Sequence, residues 1–303
     1  MTVNKDSLNP EKKEEKKKEE RTRSSSGIAS FLKMFFFKSK TSTAGTIIII
    51  CFILLMTVGP FVTRYGPYQT GPDQYAPPSW RHVLGTDYLG HDVLSQVIYG
   101  SYISMGVAIL AAAGSAVIGL VAGVVAGYFK SMELPLAGLG DVLLTFPPLP
   151  LMILVGELYP GTATTITIIL IMVLWPVVAR AVRSQVLSLK ERPYIEAART
   201  TGMTNFQIVR RMIVPEVTSL AIAYFVLTIS AAVVLVTALQ FLGVGNPNEV
   251  SWGSTLFWAQ QFAFYNGAWW WILAPGLSIT LLALAFALLG FSVEETMNPR
   301  LRT

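Results

Sequence analysis

Six apolar runs set the main constraint on this chain: 44–62, 103–129, 142–158, 164–179, 217–242 and 268–291. Crossing a hydrocarbon core takes about 20 helical residues, so the runs read as six transmembrane helices, the third and fourth of them short. The expected fold class is an all-α polytopic membrane protein. Composition agrees, since 52% hydrophobic and 14% charged residues over 303 positions are too apolar for a soluble domain of this length. The first run starts well inside the chain and no small-residue cleavage site follows it, so it is expected to remain as an anchor rather than act as a signal peptide. Cys51 is the single cysteine and falls inside that run. Neither a disulfide framework nor a cysteine metal site is available.

Basic residues accumulate on the cytoplasmic side of a membrane protein, and here their distribution is lopsided. Eleven lie in residues 1–43, Lys130 follows the second run, and Arg180, Arg183, Lys190, Arg192, Arg199, Arg210 and Arg211 lie between the fourth and fifth. Arg300 and Arg302 close the chain, leaving Arg64 and Arg81 for the other side. Both termini are therefore expected in the cytoplasm. The segment 1–27, which contains "EKKEEKKKEER", has no apolar face to bury and reads as a solvated, disordered tail. Ile28, Phe31, Leu32, Phe35 and Phe36 then repeat at helical spacing, so 28–43 reads as an amphipathic helix lying on the membrane surface. The membrane domain itself would occupy 44–303.

Residues 63–100 form the largest expected outer loop, rich in Gly, Pro and Tyr. Asp92 is placed to N-cap the helix that opens with Val93 and Leu94. Both histidines, His82 and His91, lie here near Asp87 and Asp92, which are ordinary metal-ligand types. No fixed ligand spacing supports a metal site, and turns use Asp routinely, so none is assigned. In the third run, "FPPLP" (146–150) denies the helix its backbone bonds and predicts a kink or break. Such a break serves either packing or a transport site, and in lipid it must be covered by protein or line a cavity. Asp141 and Glu157 flank this run and read as interfacial carboxylates.

Between the fourth and fifth runs stands "EAARTTGMTNFQIVRRMIVP" (196–215). Charges at the bilayer centre cost about 3 kcal/mol each, so this segment must lie outside the lipid. Pro193 suits a first helical turn, Glu196 places a carboxylate near the positive end of the helix dipole, and Ala197 and Ala198 favour helix. Gly202 can take positive φ and end it. Phe206, Val209 and Ile213 supply a second apolar stripe, and Pro215 can start the next span. A short helix, a glycine turn and a second helix are predicted, a rigid knob suited to a groove on another protein.

The order Glu196-Ala197-Ala198, Gly202, Ile208 and Pro215 resembles the EAA loop of ABC importer permeases. "LGTDYLGHDVLS" (84–95), "DVLLTFPPLP" (141–150) and "FLGVGNPNEVSWG" (241–253) are similar to further motifs of the C-type permeases of dipeptide, oligopeptide and nickel importers. The likeness covers about residues 28–303. It implies the type I ABC importer permease fold and a coupling loop, 190–215, that docks on an ATPase, carried by Tyr194, Glu196, Ala197, Ala198, Thr201, Gly202, Ile208 and Pro215. It also implies partners: a second homologous permease subunit, two cytoplasmic ABC ATPases and an extracytoplasmic substrate-binding protein. Membrane lipid surrounds the spans, and no nucleic acid is implied. Asp87, His91, Asp92 and Trp252 are candidates for contact with the binding protein, although tryptophans such as Trp252 and those of "AWWW" (268–271) also suit an interfacial belt. Thr228, Thr237 and Gln240 are candidate pathway-lining groups, or alternatively helix-packing groups. His91 and Gln96 stand where the family usually carries Arg, and Met212 where His is frequent.

No catalytic residue is expected, and no cofactor is expected on this chain; ATP and Mg would sit in the partner ATPases, since no G-x-x-x-x-G-K-[ST] loop is present. An intramembrane enzyme would need an arrangement such as H-E-x-x-H or G-x-S-x-G, and none occurs. A self-contained secondary transporter or channel would leave 196–215 without a role and has few ionisable groups within its spans. Peptides are the first expected substrate, with oligosaccharides or nickel chelates as alternatives.

Overall fold

The structure, a computed structural model, describes residues 39–159 and 161–297, with side chains to 293. The charged tail 1–27, most of the expected surface helix 28–43, and Arg300 and Arg302 lie outside the described residues. Residues 40–43 of that expected helix belong instead to the first span, α1 (Lys40–Val62), which Ser39 caps through a bond accepted from Ser42 N. The remaining helices are α2 (Val93–Tyr128), α3 (Lys130–Thr145), α4 (Pro148–Gly156), α5 (Ala163–Lys190), α6 (Pro193–Thr200), α7 (Asn205–Ile208), α8 (Val214–Phe241), α9 (Trp252–Phe262) and α10 (Trp269–Met297). A π-helical turn, Val209–Ile213, joins α7 to α8. Among the described residues, five helical spans are long and apolar enough to cross a membrane, and the bent pair α3 and α4 makes a sixth if it counts as one.

Boundaries differ from the apolar runs in four places. The second span begins at Val93, because Asp92 accepts Ser95 N and caps the helix there; the outer loop therefore ends at 92, not 100. The third starts at Lys130 rather than 142 and breaks at the prolines, where α3 and α4 meet at 94°. In the fourth, helix continues past 179 to Lys190, so Arg180, Arg183 and Lys190 stand on a helix and not in a loop. Their charges are accommodated laterally: Arg180 donates to Asp141 at 2.6 Å, and Arg183 pairs with Glu133, both acceptors on α3. Finally, the second helix of the 196–215 segment is not separate. It runs through the π turn into α8 as a single span, Asn205–Phe241.

The bundle is organised by a close pairing of α2 with α5. A side chain added at Gly119, Gly123 or Gly127 would meet Val178, Val182 or Val186 within 3 Å, so residues four apart on α2 face residues four apart on α5 and the two helices run parallel. Glycines at this spacing let helix backbones approach where no hydrophobic effect drives association in lipid. At the end of this seam Lys190 Nζ donates to Gly127 O at 3.1 Å, placing a cation on the exposed carbonyls of α2. α8 lies against α2 and α10, and α10 also covers α1; Ser230 Oγ donates to Ala283 O across the α8–α10 contact.

Candidate functional site

The basic end of the bundle carries the predicted knob. α6 starts with Pro193 in its first turn and carries Glu196 there, the position at which a carboxylate meets the free N–H groups of a helix. It ends in a Schellman motif: Gly202, at φ +87°, donates to Arg199 O, and Met203 N donates to Ala198 O at 3.1 Å. Thr204 and Gln207 then form a reciprocal capping box that starts α7. Tyr128 Oη at the end of α2 donates to Asn205 Oδ1 at 2.9 Å, and the Arg199 guanidinium lies over the Tyr128 ring.

Burial sorts the eight expected coupling residues into two sets. Tyr194, Glu196, Ala197, Thr201, Gly202 and Pro215 are exposed, whereas Ala198 and Ile208 are buried. Ile195, absent from the expected set, is buried outright and packs in one cluster with Val124 and Tyr128 of α2, Val182 and Val186 of α5, and Val217 of α8. The knob is thus rooted in three spans at once while its α6 face stays open. Phe206 departs from expectation. It is 70% exposed, and the buried residues of its segment are Ile208 and Ile213. The π turn adds a residue to the helical repeat and shifts the apolar stripe, which the 3.6 spacing could not foretell.

At the opposite end, the loop 63–92 packs tightly. Asp87 is 1% exposed: one carboxylate oxygen accepts Leu89 N and His91 N, and the other accepts Gln96 Nε2 and pairs with His91 Nδ1 at 2.8 Å. Both departures from the family's arginines, His91 and Gln96, are therefore partners of one buried carboxylate. Asp92 pairs with His82 Nδ1 at 2.9 Å while capping α2, and His82 stacks on Tyr65. Among the described residues no group of three potential metal ligands occurs. Tyr88 stacks against Phe262, Trp258 and Trp271, and its hydroxyl is pushed above the usual tyrosine range, first by burial and then by the Asp87 charge.

The expected binding-protein contacts Asp87, Asp92 and Trp252 are instead interior groups. Trp252 has no exposed surface; its Nε1 donates to Val97 O and its ring meets Phe52 edge-on, so it is neither a docking contact nor an interfacial belt residue. Trp270 and Trp271 are also buried, and of the "AWWW" run only Trp269 is open, as a belt residue would be. The expected pathway residues are buried as well. Thr237 Oγ1 donates to Val233 O of its own helix, Gln240 Oε1 accepts from Ser251 Oγ, and Thr228 is 7% exposed. Thr237 thus bonds within its own helix, whereas Gln240 bonds to the N-cap of α9.

Residues 115–303 match the family described as "Binding-protein-dependent transport system inner membrane component". The chain belongs to this family. Residues 30–78 match the N-terminal TM domain of oligopeptide transport permease C. The dipeptide transport system permease protein DppC of Bacillus subtilis (strain 168) is 34% identical over 257 residues, covering 84% of this chain and 80% of the relative. A putative peptide transport system permease protein of Brucella suis is 31% identical over 252 residues, with 82% and 84% covered. The glutathione transport system permease protein GsiD of Pectobacterium atrosepticum is 32% identical over 228 residues, with 75% of each covered. As an inner-membrane component of binding-protein-dependent transport, this permease is a multi-pass membrane protein, and the family implies ATPase and substrate-binding partners.

Proposed function

We propose that this permease is one of two homologous transmembrane subunits of an ABC importer for di- or oligopeptides, with both termini and the α6 knob in the cytoplasm. Two ABC ATPases dock on the paired subunits, and the bond chemistry takes place there, with ATP and Mg, not on this chain. The observation that carries the reading is the division of α6: Ile195 and Ala198 root it in α2, α5 and α8, while Tyr194, Glu196 and Ala197 stay open for a partner. A rigid element fixed to three spans converts movement of a docked protein into movement of helices, the hinge or shear class of transition. The basic residues of this end support the cytoplasmic assignment. Relatives named for peptide, dipeptide and glutathione transport favour peptides over oligosaccharides or nickel chelates.

On the outer side, the buried Asp87 and Asp92 clusters hold the loop in shape. Contact with a loaded binding protein falls to exposed groups such as Trp80 and Tyr265, 96% and 91% open. The test is a zero-length crosslink from Ala197→Cys, in a Cys51→Ser background, to single cysteines on the ATPase. An adduct that changes with nucleotide state is expected. Absence of any adduct in every nucleotide state, with peptide uptake intact, refutes the docking assignment.

A further inference from the structure

The outer end contains a cleft of about 270 Å3 that the transport reading leaves unused. Pro67 and Tyr68 of the outer loop, Pro247, Trp258, Asp87, His91, Gln96 and Trp271 are among the residues that line it. Two of these side chains carry polar atoms with no hydrogen-bond partner, Gln96 Oε1 and Trp271 Nε1, although Gln96 is 7% and Trp271 1% exposed. A buried polar atom without a partner costs about 1–3 kcal/mol, so two in one cleft point to an occupant that supplies both an acceptor and a donor.

The charge of the cleft narrows that occupant. Asp87 is the one carboxylate in the lining, and its oxygens accept from Leu89 N, His91 N and Gln96 Nε2 and pair with His91 Nδ1. No Lys or Arg lines the cleft. The raised Tyr88 hydroxyl stays protonated and adds no charge. The lining therefore holds one carboxylate and no Lys or Arg, with the Gln96 carbonyl as an unused acceptor and the Trp271 indole N–H as an unused donor. An amino-terminal residue matches this set, since it presents an ammonium group next to a carbonyl. The volume sits just under the range of about 300–1,000 Å3 typical of small-molecule sites, room for the end of a short peptide.

We propose that this cleft binds the free amino terminus of a peptide, with the ammonium group beside the Asp87 carboxylate on Gln96 Oε1 and the first carbonyl on Trp271 Nε1. The proposal rests on the peptide reading above and adds a recognition step on the permease itself, separate from the binding protein.

The test uses the assembled importer in nanodiscs without its binding protein, titrated with alanyl-alanine and N-acetyl-alanyl-alanine and read by saturation-transfer NMR. Free dipeptide is expected to bind at least tenfold more tightly than the acetylated one. His91→Arg keeps a donor for Asp87 but adds a permanent cation, and is expected to weaken the free dipeptide at least tenfold. Trp271→Phe keeps the ring and loses the donor, and is expected to weaken both ligands several-fold. Equal binding of the two dipeptides, or unchanged affinity in His91→Arg, overturns the proposal. If ATP-driven peptide uptake with the binding protein persists in that case, the cleft assignment alone has failed. If the cleft discriminates as expected but no peptide is taken up, the transport reading has failed and the ammonium site stands.

Discussion

Ile195→Ala isolates the mechanical part of the proposed coupling knob. Only two side chains of α6 are buried, Ile195 and Ala198, and the second contributes a single methyl group. Truncating Ile195 removes three carbons from a fully buried position, a transfer loss of about 2.4 kcal/mol at about 0.8 kcal/mol per methylene. Adding the cavity left between α2, α5 and α8 brings the cost into the range of about 2–5 kcal/mol seen for such truncations. Because Ile195 is the larger of the two buried side chains that root α6 in the bundle, most of the cost falls on local docking of the knob. At the low end, 2 kcal/mol raises the undocked fraction about 30-fold. Tyr194, Glu196 and Ala197 are untouched, so the face offered to an ATPase keeps its chemistry. The assays are hydrogen exchange of amides 193–203 and the ratio of peptide transported to ATP hydrolysed in proteoliposomes. Faster exchange with a lower ratio is expected, and Ile195→Val, at about 0.5–1.5 kcal/mol, should fall between. Wild-type protection together with an unchanged ratio in Ile195→Ala would refute the rooting argument.

Gly202→Leu is expected to cost about 1–2 kcal/mol through its positive φ alone, since no atom lies within 4 Å of an added Cβ. Steric crowding plays no part, so Gly202→Asn should recover much of the loss in thermal stability and ATPase copurification. Glu196→Lys reverses the charge in the first turn of α6, where a carboxylate is worth about 0.3–1 kcal/mol, and should weaken pull-down of the ATPase without lowering the melting temperature of the spans. Gly123→Val places a side chain against Ala179 O and Val182; overpacking of this kind costs about 1–3 kcal/mol and should show as a lower melting temperature and loss of the folded permease. Asp92→Ala removes the cap of α2 and the partner of His82; a loss of about 1 kcal/mol should appear as faster exchange of amides 93–96, with α6 unaffected.

Local signals were legible without the fold. Apolar run length located the spans, "FPPLP" located the break, Asp92 and Gly202 located a cap and a turn, and the order of small and charged residues around Glu196 marked the knob. Each rests on the chain's own neighbours: a proline lacks its N–H wherever it sits, and glycine alone reaches positive φ without cost. The Gly119, Gly123 and Gly127 repeat was equally visible, but its counterpart Val178, Val182 and Val186 lies 59 positions further on.

Tertiary structure alone decided which side chains stay open. Asp87, Asp92 and Trp252 read as surface groups because polar and aromatic residues in an outer loop suit a docking face, yet Asp87 and Asp92 are buried among hydrogen-bond partners from the loop and the start of α2, and Trp252 packs on Phe52 of α1 and bonds to Val97 of α2. Phe206 read as part of an apolar stripe with Val209 and Ile213 and stands exposed, because a π turn after it changes the register. Arg180 and Arg183 read as loop residues until α3 brought Asp141 and Glu133 beside them. Hydropathy along the chain thus determined where helices cross the membrane. Contacts between residues distant in sequence determined their ends, their faces and the cleft, because burial and charge pairing depend on neighbours that the fold supplies.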